Sequence, residues 1–273
     1  MDRAMSREGF RPAGHRAQEL SDIVLPDETF KPIQRVVKRP NFFERLFGRK
    51  EQTVGYLYRD VEYRKGCVGD VVLSAGLLRD KRGNVRYNAK SAWQAYEHDE
   101  KENPIEWRIP SGPTTIEMIY RTQRDSGPIQ QEVDKTWYMT PLHMWPITST
   151  IITYTPAMTY VEHDWNEPLI TTSTPEERPV TITIADNNTP DTQQFLQAIL
   201  GKRHALTQKI LGRYAPVKLT TRTDGMCFLG FGSDKYYGRF YIDTVDLTNK
   251  RQSARGISLL ENFPSPQYEV RDD

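Results

Sequence analysis

Two consecutive hairpin patterns decide the fold, and they lie in residues 217–245, which read VKLTTRTDGMCFLGFGSDKYYGRFYIDTV. Three runs in this stretch are rich in apolar, β-branched and aromatic residues: Val217 to Arg222, Met226 to Phe231 and Tyr236 to Val245. Such residues favour strands. Asp224-Gly225 predicts a turn after the first run, and Gly232 to Lys235 predicts a turn after the second. The stretch therefore predicts successive antiparallel strands.

Further strands and helices are predicted upstream. The predicted strands are Gly55 to Tyr63, Val68 to Leu78, Ile105 to Ile109, Thr114 to Arg121, Ile147 to Tyr154 and Val180 to Ile184. The predicted helices are residues 88–102, 190–200 and 206–211. Because strands and helices do not alternate regularly, a doubly wound parallel sheet is not expected. We predict an α+β fold, mainly antiparallel β, built on a β-sandwich or barrel.

The composition divides the chain into three segments: an extended basic arm at 1–50, an α+β accessory region at 51–146, and a further β region with the helix 190–200 at 147–273. In the first segment polar residues dominate, and prolines interrupt any long helix. Between Lys31 and Lys50 the only acidic residue is Glu44, whereas basic residues recur throughout. These basic residues are Lys31, Arg35, Lys38, Arg39, Arg45, Arg49 and Lys50.

A short helix is predicted within this basic stretch, in the sequence NFFERLFG at 41–48. Asn41 is suited to the N-cap, Glu44 occupies the capping-box position, and Gly48 can end the turn in the left-handed region. So short a helix is not stable alone in water, so its apolar face must pack on its own core or on a neighbour. We predict a partner-binding cluster of Phe42, Phe43, Leu46 and Phe47, with Arg45, Arg49 and Lys50 as its charged rim.

The overall composition excludes several classes of protein. The formal net charge is +1, so no field of the whole chain attracts nucleic acid or an anionic membrane. No run approaches the roughly 18 apolar residues of a membrane span, the first residues lack a secretory signal, and no membrane partner is expected. Cys67 and Cys227 belong to no paired motif, so we expect two reduced thiols and synthesis in a cytoplasm.

A search for chemistry predicts no catalytic, cofactor-binding or metal-binding residue, because no nucleophile elbow, phosphate loop, zinc-protease or dinucleotide motif is present. Two alternatives stay open. Asp60 and Glu62 would share one face of a strand, as in a carbohydrate hydrolase, and acidic residues also surround His98. The basic arm would suit a nucleic-acid-binding module whose affinity falls steeply with salt.

The second half of the chain combines these elements in a recognisable order. Tyr154 through Trp165 comes first, and the strand Pro179 to Ile184 then leads through Asp186 to the helix Thr192 to Leu200. The hairpin strands Met226 to Gly230 and Tyr237 to Val245 follow. Over residues 147–263 this order resembles the tube-type proteins of contractile phage tails. The resemblance implies a tube-like β-sandwich or barrel with a flanking helix, joined edge to edge into a ring around a channel for DNA.

Residues 1–146 have no counterpart in a minimal tube subunit, which favours a specialised ring such as a tube initiator, a baseplate or a neck component. The expected function is therefore that of a non-enzymatic virion structural protein, made in the host cytoplasm. Its expected partners are copies of itself and other tail, baseplate or neck proteins. Sheet edges and the N-terminal arm would make these contacts.

Overall fold

The computed structural model describes residues 30–64, 66–125, 127–138, 146–154, 159–164, 196–197, 199–211, 218–219, 225–234, 239–246 and 252–271. The helices are α1 (Phe42–Leu46), α2 (Lys90–Glu97), α3 (Gly112–Arg124), α4 (Pro128–Tyr138) and α5 (His204–Leu211). The strands are β1 (Gln34–Lys38), β2 (Gln52–Arg64), β3 (Cys67–Ser74), β4 (Ile147–Tyr154), β5 (Thr159–Glu162), β6 (Lys218–Leu219), β7 (Gly225–Asp234), β8 (Arg239–Asp246), β9 (Ile257–Leu259) and β10 (Tyr268–Arg271). Short 3-10 helices cover Gly201–Arg203 and Leu260–Asn262.

The strands form two five-stranded sheets, with the orders β10-β1-β2-β3-β9 and β5-β4-β7-β8-β6. Every neighbouring pair is antiparallel except β6 and β8, which are parallel. The predicted mixed α+β fold with mainly antiparallel sheets is confirmed. In the described part of the chain both sheets are open, so these strands do not form a closed barrel.

The antiparallel pairing of the second predicted hairpin is confirmed, but its turn is not at Gly232 to Lys235, because β7 extends to Asp234. The first predicted hairpin is wrong. β7 and β8 pair as an antiparallel hairpin, with Phe228 opposite Val245 and Asp234 opposite Arg239. β6, however, pairs in parallel with β8 rather than with β7. The reason is competition for the edge of β7, because β4 pairs along its other side. Strand β4, which is distant in the sequence, thus occupies the edge of β7 where the local turn pattern predicted β6.

The predicted strand at 114–121 is wrong, because these residues lie in α3. Ser111 is the N-cap of this helix and accepts a hydrogen bond from the Thr114 N–H, while Pro113 stands in the first turn. Residues 112–122 are buried without a break. β-branched residues such as Thr115, Ile116 and Ile119 favour a strand locally, whereas the Ser111 cap and packing in the core between the two sheets favour the helix.

The remaining predicted helices and strands agree with the structure in part. Strand β4 and helices α2 and α5 are confirmed, although α2 is shorter than predicted. The predicted strand at Ile105 to Ile109 is wrong, since only an isolated bridge from Arg108 to Ile257 is present there. The strand Val180 to Ile184 lies outside the described residues. So does most of the helix 190–200, of which residues 196–197 and 199–200 are helical.

The first sheet takes strands from all three segments that the composition distinguishes. β1 belongs to 1–50, β2 and β3 to 51–146, and β9 and β10 to 147–273. β1 has hydrogen-bonded neighbours on both sides. Residues 34–38, expected in an extended arm, are therefore an inner strand of a sheet, and residues 1–29 of the predicted arm lie outside the described residues.

Helix α3 brings the two sheets into one hydrophobic core. The core contains Tyr58, Val61, Val71 and Leu73 from the first sheet, Ile116, Met118 and Ile119 from α3, and Ile152, Leu229, Phe231 and Ile242 from the second sheet. The backbone near residue 255 also joins the sheets, because the Ser74 N–H donates to Gly256 O over 2.8 Å and the Ile147 N–H donates to Ser253 O over 2.9 Å. The α1 helix lies outside this core.

Gly55 in β2 provides a test of the first sheet. A Cβ atom at this position would lie 2.5 Å from both the Leu73 carbonyl oxygen and Val72 Cγ1. These atoms cannot retreat without disturbing the pairing of β2 with β3, so we expect Gly55→Ala to lower the free energy of unfolding by about 1–3 kcal/mol. Gly76→Ala is the matched control, because a Cβ there meets nothing within 4 Å. Urea unfolding measures both, and equal midpoints would contradict this packing.

Candidate protein interaction site

The α1 loop, residues 39–51, connects β1 to β2 and contains the predicted short helix. Asn41 Oδ1 accepts a hydrogen bond from the Glu44 N–H over 2.8 Å, and the Glu44 carboxylate accepts one from the Asn41 N–H over 3.0 Å. This second bond is the main reason why the pKa of Glu44 lies below its usual value. Gly48 has φ 70°, in the left-handed region. The predicted capping box and glycine terminator are both confirmed.

Strand β10 and the residue that precedes it hold both ends of the α1 loop. At the first end, the Arg39 N–H donates to Gln267 O over 2.9 Å, and the Arg39 guanidinium lies 2.6 Å from the Glu269 carboxylate. At the other end, Arg271 binds Glu51 through two hydrogen bonds of 2.6 and 2.8 Å. Such bidentate geometry is the strongest form of an arginine–carboxylate pair. The loop is therefore held in place before any partner binds.

The apolar cluster of the α1 loop, defined as Phe42, Phe43, Leu46 and Phe47, faces solvent. The exposed fractions of these residues are 71%, 70%, 67% and 84% in that order. The rings of Phe42 and Phe43 contact each other edge to face, with centroids 5.8 Å apart. No residue of α1 is buried, so the helix does not pack on the chain's own core. Contiguous exposed apolar side chains of this size mark interaction surfaces.

Arg45, Arg49 and Lys50, the basic residues predicted as the charged rim, differ in the groups that they contact. Arg49 pairs with Glu44 at 3.1 Å, and Arg45 Nε donates to Pro40 O over 3.2 Å. Neither Arg45 nor Lys50 has a carboxylate of the described residues within ion-pair distance. These two cations are thus available to an acidic group of a partner.

The remaining basic residues of the stretch are mostly neutralised within the chain. Lys31 pairs with Asp60 at 3.2 Å, Arg35 with Glu132 at 3.0 Å, and Arg39 with Glu269. The carboxylates in these three pairs belong to residues that lie far from the basic segment in the sequence. Together with Arg49, four of the seven cations of the segment are therefore paired with a carboxylate, which reduces the positive charge that it presents to a phosphate backbone.

Asp60 and Glu62, the carboxylates of the hydrolase alternative, do not act together. A bulge in β2 places Arg59 and Asp60 opposite the single residue Asp70. Asp60, with φ 53°, points to solvent and pairs with Lys31. The side chain of Glu62 is only 16% exposed and binds two cations, Lys202 at 2.6 Å and Arg203 at 3.3 Å. The extra residue of the bulge breaks the alternation on which the predicted shared face depended.

Glu62 belongs to a buried ionic network that the sequence did not reveal. Glu117 accepts hydrogen bonds from Arg121 and Arg203, and Arg203 continues to Glu62. Burial alone would raise the pKa of Glu62, but hydrogen bonds from Lys202 and the Gly66 N–H, with the charge of Arg203, lower it below its usual value. A carboxyl group that stays ionised is poorly suited to general acid catalysis near neutral pH.

Two of the acidic residues near His98 accept hydrogen bonds from backbone N–H groups. Glu97 accepts a hydrogen bond from the Ile109 N–H over 2.7 Å, and Asp99 Oδ1 accepts from the N–H groups of Lys101 and Glu102. Among the residues that the structure describes, no three or more His, Cys, Asp or Glu side chains are grouped closely enough to hold a metal ion. Cys67 is exposed, Cys227 is buried, and neither forms a disulfide.

Comparisons with known proteins give no relative for this arrangement. No protein-family model matches the chain, and neither a curated protein nor a solved structure matches it. Within the described part of the chain, none of the helices is both long and apolar enough to cross a lipid bilayer.

Proposed function

We propose that this chain is a non-enzymatic structural subunit that assembles through the apolar cluster of its α1 loop. The setting that the sequence pattern favours is a ring in the tail, baseplate or neck of a phage virion, built from copies of this chain and neighbouring proteins. The observation that carries the proposal is the exposure, between 67% and 84%, of the four residues of the apolar cluster on a loop whose ends are held by hydrogen bonds.

The energetics favour this cluster as the main contact. Burying one such side chain against a partner yields about 1.5–3 kcal/mol. Because the capping box and the pairs to β10 already order the loop, little conformational entropy is lost on binding. Sheet edges can contribute less, since the edge strands β5 and β10 have four residues each, β9 has three and β6 has two.

The two alternatives have weaker support. A hydrolase would require the carboxylates of Asp60 and Glu62 to face one substrate. The β2 bulge breaks their shared face, and Glu62 is bound by Lys202 and Arg203. A nucleic-acid-binding arm would require a run of unpaired cations, but Arg35, Arg39 and Arg49 are each paired with a carboxylate, so Arg45 and Lys50 stand among paired neighbours. The apolar cluster is needed by neither alternative.

Negative-stain electron microscopy of the purified full chain at high concentration tests the ring. We expect closed rings of uniform diameter. When identical subunits join through two different surface patches, they form a closed ring if the rotation between neighbouring subunits is a whole fraction of 360°. A parallel run at high ionic strength should keep most rings, since apolar contacts are not screened by salt. Monomers at every concentration would contradict a ring made of this chain.

A further inference from the structure

A short acidic stretch, here called the acidic segment, comprises residues 17–29 and ends where the described part of the chain begins, at Phe30. It reads AQELSDIVLPDET, with four carboxylates and no lysine or arginine, so its net charge is −4. Among the carboxylates stand four larger apolar residues: Leu20, Ile23, Val24 and Leu25. The segment thus combines apolar side chains with negative charge.

The α1 loop has the complementary character. Residues 39–51 contain four cations and two carboxylates, a net charge of +2, and the adjacent Glu269 and Arg271 pair with each other. Arg45 and Lys50 have no carboxylate of the described residues within ion-pair distance. They flank an apolar cluster whose side chains are 67% to 84% exposed. An acidic segment with apolar residues matches this surface in both charge and hydrophobicity.

The acidic segment and the α1 loop lie at opposite ends of β1. The chain from Phe30 onward runs beside β2, from Lys31, which pairs with Asp60, to Lys38, which lies opposite Gln52. Eight residue steps of β2 separate these two points, a distance of about 25 Å. The α1 loop begins beyond Lys38, so the apolar cluster is at least this far from the place where the acidic segment ends.

The length of the chain decides which α1 loop the acidic segment can reach. Val24 and Leu25 stand six and five residues before Phe30, and six fully extended residues span at most about 22 Å. These two residues therefore cannot contact the apolar cluster of their own chain. A second copy has no such restriction, because its α1 loop can approach the segment from outside.

We propose that the acidic segment of one copy binds the apolar cluster of the next copy. Its apolar residues pack on the cluster, and its carboxylates pair with Arg45 and Lys50. Because the two surfaces differ, each copy can bind one neighbour through its acidic segment and another through its α1 loop, as a ring requires. This inference rests on the proposed function and extends it, since it names the occupant of the cluster.

A charge exchange between the two surfaces tests this pairing, with light scattering of the full chain as the measure of self-association. The variant Glu19→Lys/Asp22→Lys reverses two charges of the acidic segment, and Arg45→Glu/Lys50→Glu reverses the two cations of the α1 loop. Each variant should self-associate at least about tenfold more weakly, because like charges then face each other. The fourfold variant restores opposite charges and should associate within about threefold of the wild type.

The matched control is Glu100→Lys/Glu261→Lys, which reverses two exposed carboxylates outside both surfaces and should associate like the wild type. Circular dichroism checks that every variant is folded. The inference is wrong if Glu19→Lys/Asp22→Lys associates like the control, since another occupant then covers the cluster, or if the fourfold variant does not regain association. The proposed function fails separately, if replacing the three phenylalanines of the cluster by Ser leaves association unchanged or if the wild type stays monomeric.

Discussion

Replacement of Phe42, Phe43 and Phe47 by Ser is expected to abolish assembly and to leave the chain folded. The three side chains are 71%, 70% and 84% exposed, so their loss removes no packing from the core. Aromatic anchors at the centre of an interface typically contribute about 2 kcal/mol or more each. The association constant should therefore fall by at least about three orders of magnitude.

The readout is the molar mass of the assembled species by light scattering, with circular dichroism to follow folding. A matched control replaces Val68 and Met226, which are exposed apolar residues outside the α1 loop, by Ser. The control should assemble like the wild type. If the triple variant loses its folded spectrum, the phenylalanines stabilise the chain itself and the assigned role is wrong.

Glu117→Ala is expected to be among the most destabilising single substitutions. The Glu117 side chain is 4% exposed and accepts hydrogen bonds from both Arg121 and Arg203, whose side chains are 8% and 11% exposed. Its removal leaves two buried guanidinium groups without their shared carboxylate. Breaking a buried pair in this way lowers the free energy of unfolding by about 3–5 kcal/mol.

Urea unfolding at neutral pH measures this loss. Glu117→Gln keeps the shape of the side chain and removes its charge, so a similar loss in both variants would assign the effect to the charge. Glu51→Ala is the control, because Glu51 and Arg271 form an ion pair that is 41% and 37% exposed. Because this pair is largely exposed to solvent, its loss should cost clearly less than that of the buried Glu117. An equally small effect of Glu117→Ala would show that the network does not form as described.

The sequence predicted α1 well because every determinant of that helix is local. The N-cap Asn41, its capping-box partner Glu44 and the terminator Gly48 lie within eight positions of each other, and the structure shows all three in these roles. The sequence did not predict whether the apolar cluster is exposed. The same spacing of apolar residues is equally compatible with a helix that packs on the chain's own core.

Elements that depend on distant parts of the chain were predicted less well. Helix α3 looked like a strand because its β-branched residues favour strands locally, whereas its packing between the two sheets involves distant residues. The parallel pairing of β6 with β8 likewise depends on β4, which lies far away in the sequence and pairs with β7. The bulge that separates Asp60 from Glu62 is stabilised by Arg121, which donates to the carbonyl oxygens of Arg59 and Asp60. No local pattern encodes such a contact.

Site-specific photo-crosslinking tests most directly whether the apolar cluster is the assembly surface. A photoreactive phenylalanine analogue replaces Phe43 in one variant and Tyr87, which is exposed elsewhere, in another. In the assembled state we expect position 43 to crosslink to another subunit, with the yield falling to background when assembly is prevented by dilution. Crosslinking only at position 87, or at neither position in a fully assembled sample, would contradict the account.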